Sequence, residues 1–476
     1  MNAFVDNPEL LLTHGWIDGK EVHSGQHFAV FNPATRAVVA EVSDLGAAHT
    51  RDAIAAASTA FAKWKTVPLQ QRVDCILRWA SLIEENADDL GRIVHLETGK
   101  PLPQAKGEAM QCAALLRWFA EQAPQLNEET PAPGNAGQRN YSIKQPIGVV
   151  ACITPWNFPA AAVVVKAGAA IVAGCTAIIK PSEETPLIAL AFAKLAAKAG
   201  IANGVFNVIP CKDPTGVGNA LCQSSDVRML SFTGSIKIGK QLYAACGSTV
   251  KRIALELGGN APFIVFADAD LDKALDGAMS ARFYNSGQIC VGANRYYVHT
   301  SVYAEFAQKL SARVNAMPAD DLGPMINRAA VDRLNDLVGS ASAMGAEVLA
   351  GGKQSDPESL FFTPTVLSNM NAAMPARQTE IFGPIVCLYE FEDEQDVLQQ
   401  ANDTDAGLSA YVFSADADRL QRFAEGLEAG VIGANTANIF ANDLPFGGIK
   451  QSGIGREHGR DCLDEYVEIK SICRGP

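Results

Sequence analysis

From residue 147 onward the chain alternates short apolar strands with Ala-rich helical stretches, and this order most constrains its fold. IGVVACITP (147–155) predicts a buried strand, 160–173 a helix, TAIIKP (176–181) a second strand and 186–200 a second helix. VFNVIPC (205–211), DVRMLSFTG (226–234) and KRIALELGG (251–259) predict three further strands with helical segments between them. Such alternation builds a parallel sheet covered by helices on both faces. Ligands of these sheets sit beyond the carboxyl ends of the strands. The residues there are Thr154-Pro155-Trp156-Asn157, Lys180-Pro181-Ser182-Glu183, Thr233-Gly234-Ser235 and Glu256-Leu257-Gly258-Gly259. An acid after the second strand suits the hydroxyls of a ribose, which points to Glu183. No GxGxxG follows the first strand. A looser Gly234-Ser235-x3-Gly239 opens a helix and could face a pyrophosphate, or be a plain turn.

The rest of the chain divides around this unit. At 476 residues it has room for about three domains. The first 30 residues read as a β-rich lead-in, and 47–65 and 70–99 as long helical patterns. Residues 124–138 are rich in Pro, Gly and Asn and read as an excursion, followed by the strand-like RNYSIKQP (139–146). A second α/β region spans about 256–445, with strands in APFIVF, RYYVHT, FFTPTVL, GPIVCLYEF, GLSAYVF and AGVIGANT. DEYVEIKSIC (464–473) alternates like an exposed strand, which should pair with another subunit.

Composition narrows the function. The net charge of −13 argues against nucleic acid and anionic membrane as partners. The apolar run 160–179 is interrupted by Lys166 and suits a buried helix and strand better than a membrane span. The first residues show no basic region followed by an apolar one, so no secretory signal is expected. Eleven scattered Cys without CxxC, and seven His without HExxH, predict no disulfide framework and no metal site. A reducing cytoplasm is the expected compartment.

Three residues could carry chemistry. Cys290 lies in NSGQICVGANR, among small residues that leave room for sulfur and nearby N–H groups that favour thiolate. The alternative is the ordinary inert buried thiol. Glu256 ends an apolar strand, where burial raises a carboxyl toward a general base, or where it bonds backbone as a structural acid. Asn157 offers an uncharged donor for an oxyanion, or an Asx turn before Pro159.

PWNFP (155–159), KPSEETP (180–186), FTGS (232–235), ELGGNAPFIVF (256–266), GQIC (287–290), EIFGP (380–384) and PFGGIKQSGIGRE (445–457) resemble the aldehyde dehydrogenase superfamily, in order over nearly the whole chain. The wording is most similar to its succinate-semialdehyde group. The resemblance implies an α/β fold with a Rossmann-like cofactor domain (1–123 and 147–255) and an α/β catalytic domain (256–445). It also implies a β-flap for oligomerisation (124–146 and 458–476), a connecting segment (446–457), and a homodimer or homotetramer. Cys290 would attack the aldehyde carbon, with Asn157 and the Cys290 N–H holding the oxyanion. Hydride would pass to a nicotinamide, leaving a thioester that water activated by Glu256 hydrolyses. Lys166 and Glu457 would form a proton exit with Glu256, or simply an internal ion pair.

Carried over by motif, Trp156 and Lys180 flank the adenosine and Gly234 and Ser235 the pyrophosphate. Glu380 meets the nicotinamide ribose, Leu257 lies beside the nicotinamide, and Thr154, Ser182 and Phe382 belong to the same motifs. Glu183 would accept from a ribose 2′-hydroxyl and repel a 2′-phosphate, so NAD is expected over NADP. Relatives in the succinate-semialdehyde group hold the substrate carboxylate with Arg at two positions, here Tyr284 and Val165. Ala162, Val165, Tyr284, Ile289, Val291 and Phe446 would then form an apolar pocket for a neutral aliphatic or aromatic aldehyde. The alternative is a short semialdehyde with a different carboxylate anchor. Arg282 is close in sequence but need not face that pocket. The segment 312–326 is shorter than in relatives and reads as a trimmed surface loop without effect on the chemistry. Retained Glu256 disfavours transfer to coenzyme A, and Cys290 and Glu256 together disfavour a non-catalytic protein.

Overall fold

The computed structural model describes residues 5–127, 129–134, 138–318, 321–352, 354 and 356–475. Its fold is built on two large sheets. The five strands expected from the alternation form the parallel centre of the first, in the order Phe206–Val208, Thr176–Lys180, Val149–Ile153, Val227–Gly234, Arg252–Leu257. Short antiparallel strands close both sides: Gly15–Ile17 and Lys20–Val22 at one, Gly453–Ile454 at the other. The second sheet takes its seven strands from residues 261–434, all parallel except the edge strand Glu347–Ala350.

The helix Pro159–Ala173 explains its own composition. All but one of its residues are buried, so it shows no polar face. Small side chains let it press against Leu102–Gln122, where a Cβ at Gly168 would stand 2.6 Å from Leu116. Lys166 is thereby a charge inside an apolar helix. The helical stretch 70–99 is two helices, Leu69–Glu85 and Ala87–Thr98. Asn86 breaks it with φ −109° and ψ 18°, while its side-chain amide donates to the Leu82 carbonyl at 2.8 Å.

The C-terminal strand corrects one expectation. Val467–Arg474 pairs antiparallel with Arg139–Pro146 of the same chain over eight residues, and Thr130–Ala132 adds a third strand. Alternation alone says that a strand needs a partner and leaves the partner's chain undecided. Val467–Arg474 is nevertheless an edge of this sheet, with Ile469 73% exposed. Among the described residues no helix is long and apolar enough to cross a membrane.

Candidate active site

The loop carrying Cys290 is held in a shape the chain would not adopt alone. After the helix Leu271–Phe283, residues Asn285, Ser286 and Gly287 take φ of 48°, 56° and 73°. Left-handed backbone costs each non-glycine residue of order 1 kcal/mol, so the surroundings must fix it. Ser286 Oγ donates to the Gly323 carbonyl at 2.7 Å. The Gln288 amide donates to the Pro324 carbonyl at 3.2 Å and accepts from the Ile326 N–H at 2.9 Å. A Cβ at Gly287 would meet the Gly383 carbonyl oxygen at 2.2 Å, so only glycine fits. Of the segment 312–326, residues 319 and 320 lie outside the described residues, and its end, Gly323–Ile326, is a brace beneath the Cys290 loop.

Cys290 is half-buried and Cys473 exposed, whereas the other nine thiols are buried. Burial, then the negative charges of Glu380 and Glu256, push the Cys290 thiol up, against a weaker pull from the N–H groups of Cys290 and Val291. These causes together favour the protonated thiol, against the thiolate that the N–H groups alone would favour. The same ordering of charges puts both carboxylates near it.

Glu256 ends its strand opposite Gly453 and is 6% exposed. Burial and the neighbouring Glu457 raise its carboxyl well above the usual range, while Lys166 and Arg456 oppose the shift. One of its oxygens is buried with no hydrogen-bond partner among the described residues. The other lies 2.8 Å from where a Cβ at Gly447 would stand. Lys166 Nζ donates to Glu457 at 2.6 Å and to Ser231 Oγ at 3.0 Å, so Lys166 and Glu457 do form a pair next to Glu256.

Asn157 follows the strand Val149–Ile153 and precedes the buried helix. Its side-chain amide donates to the Gln288 carbonyl at 3.0 Å, which ties it to the Cys290 loop and uses one of its two N–H bonds.

The strand ends offer a set of groups suited to a dinucleotide. The Thr154 N–H bonds the Lys180 carbonyl at 3.1 Å and aligns the first two strand ends. Lys180 is buried, and its ammonium lies 3.5 Å from Glu183, which keeps 34% of its side chain exposed. Ser182 Oγ accepts from the Glu184 N–H. After Gly234, Ser235 caps the helix Ile236–Cys246 by accepting from the Ile238 N–H at 3.3 Å, so the looser Gly-Ser pattern does open a helix. Leu257 packs against Gly239, where a Cβ would stand 2.6 Å from the leucine side chain. Glu380 accepts from the Gly259 N–H at 3.1 Å, and burial pushes its carboxyl up to about 7. A Cβ at Gly258 would stand 2.4 Å from Glu380. Trp156 and Phe382 meet edge to face at 5.6 Å.

Of the expected pocket residues, Ala162 and Val165 are buried on the helix, and Ile289, Val291 and Phe446 belong to one apolar cluster that Phe158 and Cys290 join. Val291 is 3% exposed, and its carbonyl accepts from Ser409 and Tyr411, which fixes the backbone just after the sulfur. Tyr284 is 39% exposed and stacks on Phe158 with 7° between the rings. Arg282 is fully buried and donates to the carbonyls of Ala293 and Gly287 and to Asn294. These bonds hold it as a buried structural cation.

The family model described as the aldehyde dehydrogenase family matches residues 16–472. The chain belongs to this family. It is 44% identical to the succinate-semialdehyde dehydrogenase [NADP(+)] of Escherichia coli (strain K12), over 98% of each chain. It is 43% identical to a glutarate-semialdehyde dehydrogenase of Pseudomonas aeruginosa, again over 98% of each. The crystal structure of succinate-semialdehyde dehydrogenase from Burkholderia pseudomallei superposes with a TM-score of 0.97 at 43% identity, covering 99% of this chain and 100% of that one. The α/β fold with a Rossmann-like part is thus that of an aldehyde dehydrogenase, an oxidoreductase family that uses a nicotinamide cofactor.

The groups of this aldehyde dehydrogenase fit such a cofactor. The fit rests on the Gly258 cradle beneath Glu380, the capped helix after Gly234, and the carboxylate at Glu183. Sequence reasoning missed the residues that support the site: Lys100, Gln104, Glu108, Phe158 and Asn285. The signal lay in ETGKP (97–101), where a lysine between glycine and proline follows an apolar helix. A buried partner for it is visible only in three dimensions.

Proposed function

We propose that this aldehyde dehydrogenase oxidises a short semialdehyde carrying a distal acidic group, with NAD as the preferred cofactor. The observation that carries the substrate class is near-complete alignment with two relatives named for succinate and glutarate semialdehydes. The carboxylate anchor differs from arginine. Burial pushes the Tyr284 phenol up, so it stays protonated and can donate one hydrogen bond to a carboxylate at the pocket mouth. One neutral donor holds a carboxylate less firmly than a bidentate guanidinium.

In this reading Cys290 adds to the aldehyde carbon and its proton passes to Glu256. The free N–H of Asn157 and the Cys290 N–H hold the oxyanion. Bound nicotinamide supplies the hydride acceptor. Lys166 with Glu457 leads that first proton away, so that Glu256, again a carboxylate, can take a second one from the water that cleaves the thioester. Glu183 supports NAD because its carboxylate suits a 2′-hydroxyl and opposes a 2′-phosphate, although the Escherichia coli relative is named for NADP(+). Residues 1–123 with 147–255 would form the cofactor domain, 256–445 the catalytic domain, 446–457 the connection, and 124–146 with 458–476 the flap. The exposed edge Val467–Arg474 supports assembly into a homodimer or homotetramer. Nine buried free thiols support a reducing, cytoplasmic setting.

The stacked Phe158–Tyr284 wall favours a second reading, a neutral aliphatic or aromatic aldehyde. Comparing kcat/KM for succinate and glutarate semialdehydes with hexanal and benzaldehyde decides between them. Preference for a semialdehyde supports the first reading, and preference for hexanal or benzaldehyde replaces it with the second.

A further inference from the structure

A polar assembly outside the reacting groups binds the oxyanion turn to the nucleophile loop. Lys100 is 1% exposed, and its ammonium donates to Glu108 at 2.6 Å and to the Asn157 carbonyl at 2.8 Å. The other oxygen of Glu108 accepts from the N–H groups of Ala160 and Ala161 at 2.9 and 3.1 Å. The turn 157–161 is therefore gripped at its carbonyl end and at its amide end by one ion pair. The same Lys100 ammonium sits 4.2 Å from the centre of the Phe158 ring, which also stacks on Tyr284. Gln104 stands one helical turn before Glu108 on Leu102–Gln122, and its side-chain oxygen accepts from the Asn285 N–H at 3.1 Å. Asn285 in turn donates to the carbonyls of Asn157 and Gln288.

An ion pair this deep carries a desolvation cost that an apolar pair of similar volume would avoid, so stability alone does not explain it. What it supplies is geometry. An oxyanion donor works only within a few tenths of an ångström of the developing charge. From these contacts we infer that Lys100, Glu108 and Gln104 are positioning residues, which set the spacing between the Asn157 amide and Cys290 through one rigid helix. This rests on the proposed role of Asn157 in holding the oxyanion.

A double-mutant cycle on the full-length enzyme tests it. Lys100→Met, Asn157→Ala and the double variant are assayed for kcat per NADH-producing site, with the dissociation constant of NAD measured alongside. Lys100→Met is expected to lower kcat about 10–100-fold with NAD binding changed less than about twofold. In the Asn157→Ala background the same substitution should cost less than about threefold, because the group it positions is gone. Equal losses in both backgrounds would overturn the positioning role and leave the Asn157 reading intact. If Asn157→Ala alone keeps full kcat, the oxyanion reading fails, and the positioning role with it. Should Lys100→Met not fold, Gln104→Leu replaces it. That variant leaves the ion pair whole and should show a several-fold kcat loss that likewise vanishes without Asn157.

Discussion

Replacing Glu183 by serine should turn the enzyme from NAD toward NADP. Glu183 stands at the end of the strand Thr176–Lys180, with its carboxylate 3.5 Å from the Lys180 ammonium and a third of its side chain in solvent. A 2′-phosphate about 5 Å away would meet repulsion of about 3 kcal/mol per unit charge at an effective dielectric near 20. Solvent screening at this exposure reduces that to about 1.5 kcal/mol. NAD loses its charged hydrogen-bond acceptor in the same substitution, at the low end of the usual range, about 1.5 kcal/mol. The two effects act on opposite cofactors and add in the ratio. Their sum of about 3 kcal/mol corresponds to a change of about a hundredfold in relative kcat/KM. Lys180 reinforces the switch, because losing its carboxylate partner frees its ammonium for the phosphate.

The assay is steady-state kinetics with each cofactor at saturating aldehyde, for the native enzyme and Glu183→Ser. The native enzyme should favour NAD, and the variant's NADP/NAD ratio should rise about a hundredfold. A native enzyme preferring NADP tenfold, or a ratio unmoved by the substitution, would refute the reading of Glu183.

Three further outcomes follow from the charges. Glu256→Gln removes both the acceptor for the Cys290 proton and the base for thioester hydrolysis, so stopped-flow traces should show no NADH burst and steady turnover should be about 10²–10⁴ times slower. A full burst at the native rate contradicts the part of Glu256 in activating Cys290. Lys166→Met removes a charge that lowers the Glu256 carboxyl, so the rising limb of kcat against pH should move to higher pH. An unmoved limb separates Lys166 from Glu256. Glu97 is fully buried against the N–H groups of Leu187 and Ile188, and burial pushes its carboxyl up to about 8 from 4.5 unfolded. Between those values the folded chain holds a proton that the unfolded chain lacks. Stability should fall as pH rises through that window, by at most about 1.4 kcal/mol per pH unit, and Glu97→Gln should flatten the fall in chemical-denaturation curves.

The parallel centre of the first sheet was legible because buried strands leave continuous apolar runs, as in TAIIKP, and their helices leave long Ala-rich ones. Strand ends were legible for the same reason: polar residues such as Glu183 and Glu256 stand out where an apolar run stops. Short antiparallel pieces were not. Gly453–Ile454 lies in a Gly-rich turn and becomes a strand only because Leu255 and Glu256 lie beside it. Periodicity also ran through Asn86, since two helices sharing one buried face keep a common apolar pattern. Lys100 escaped notice for a related reason. A lysine reads as solvated unless its buried partner is known, and Glu108 and the Asn157 carbonyl come from distant parts of the chain. Backbone strain at Asn285 and Ser286 leaves no mark in composition, because both residues are common in ordinary turns.

In the proposed mechanism, the charges around the sulfur also bear on how the reaction starts. Burial and the carboxylates of Glu380 and Glu256 keep the resting Cys290 protonated, so attack on an aldehyde requires a proton to leave first. A carboxylate with an ordinary affinity for protons would be a poor acceptor from a thiol raised this far. Glu256 is not ordinary. Its own burial and the nearby Glu457 raise it in the same direction, which narrows the gap between donor and acceptor. Once Glu256 is protonated, it no longer repels the new thiolate, and the transfer becomes easier as it proceeds. The burial that makes each group unreactive alone is therefore what matches them to one another.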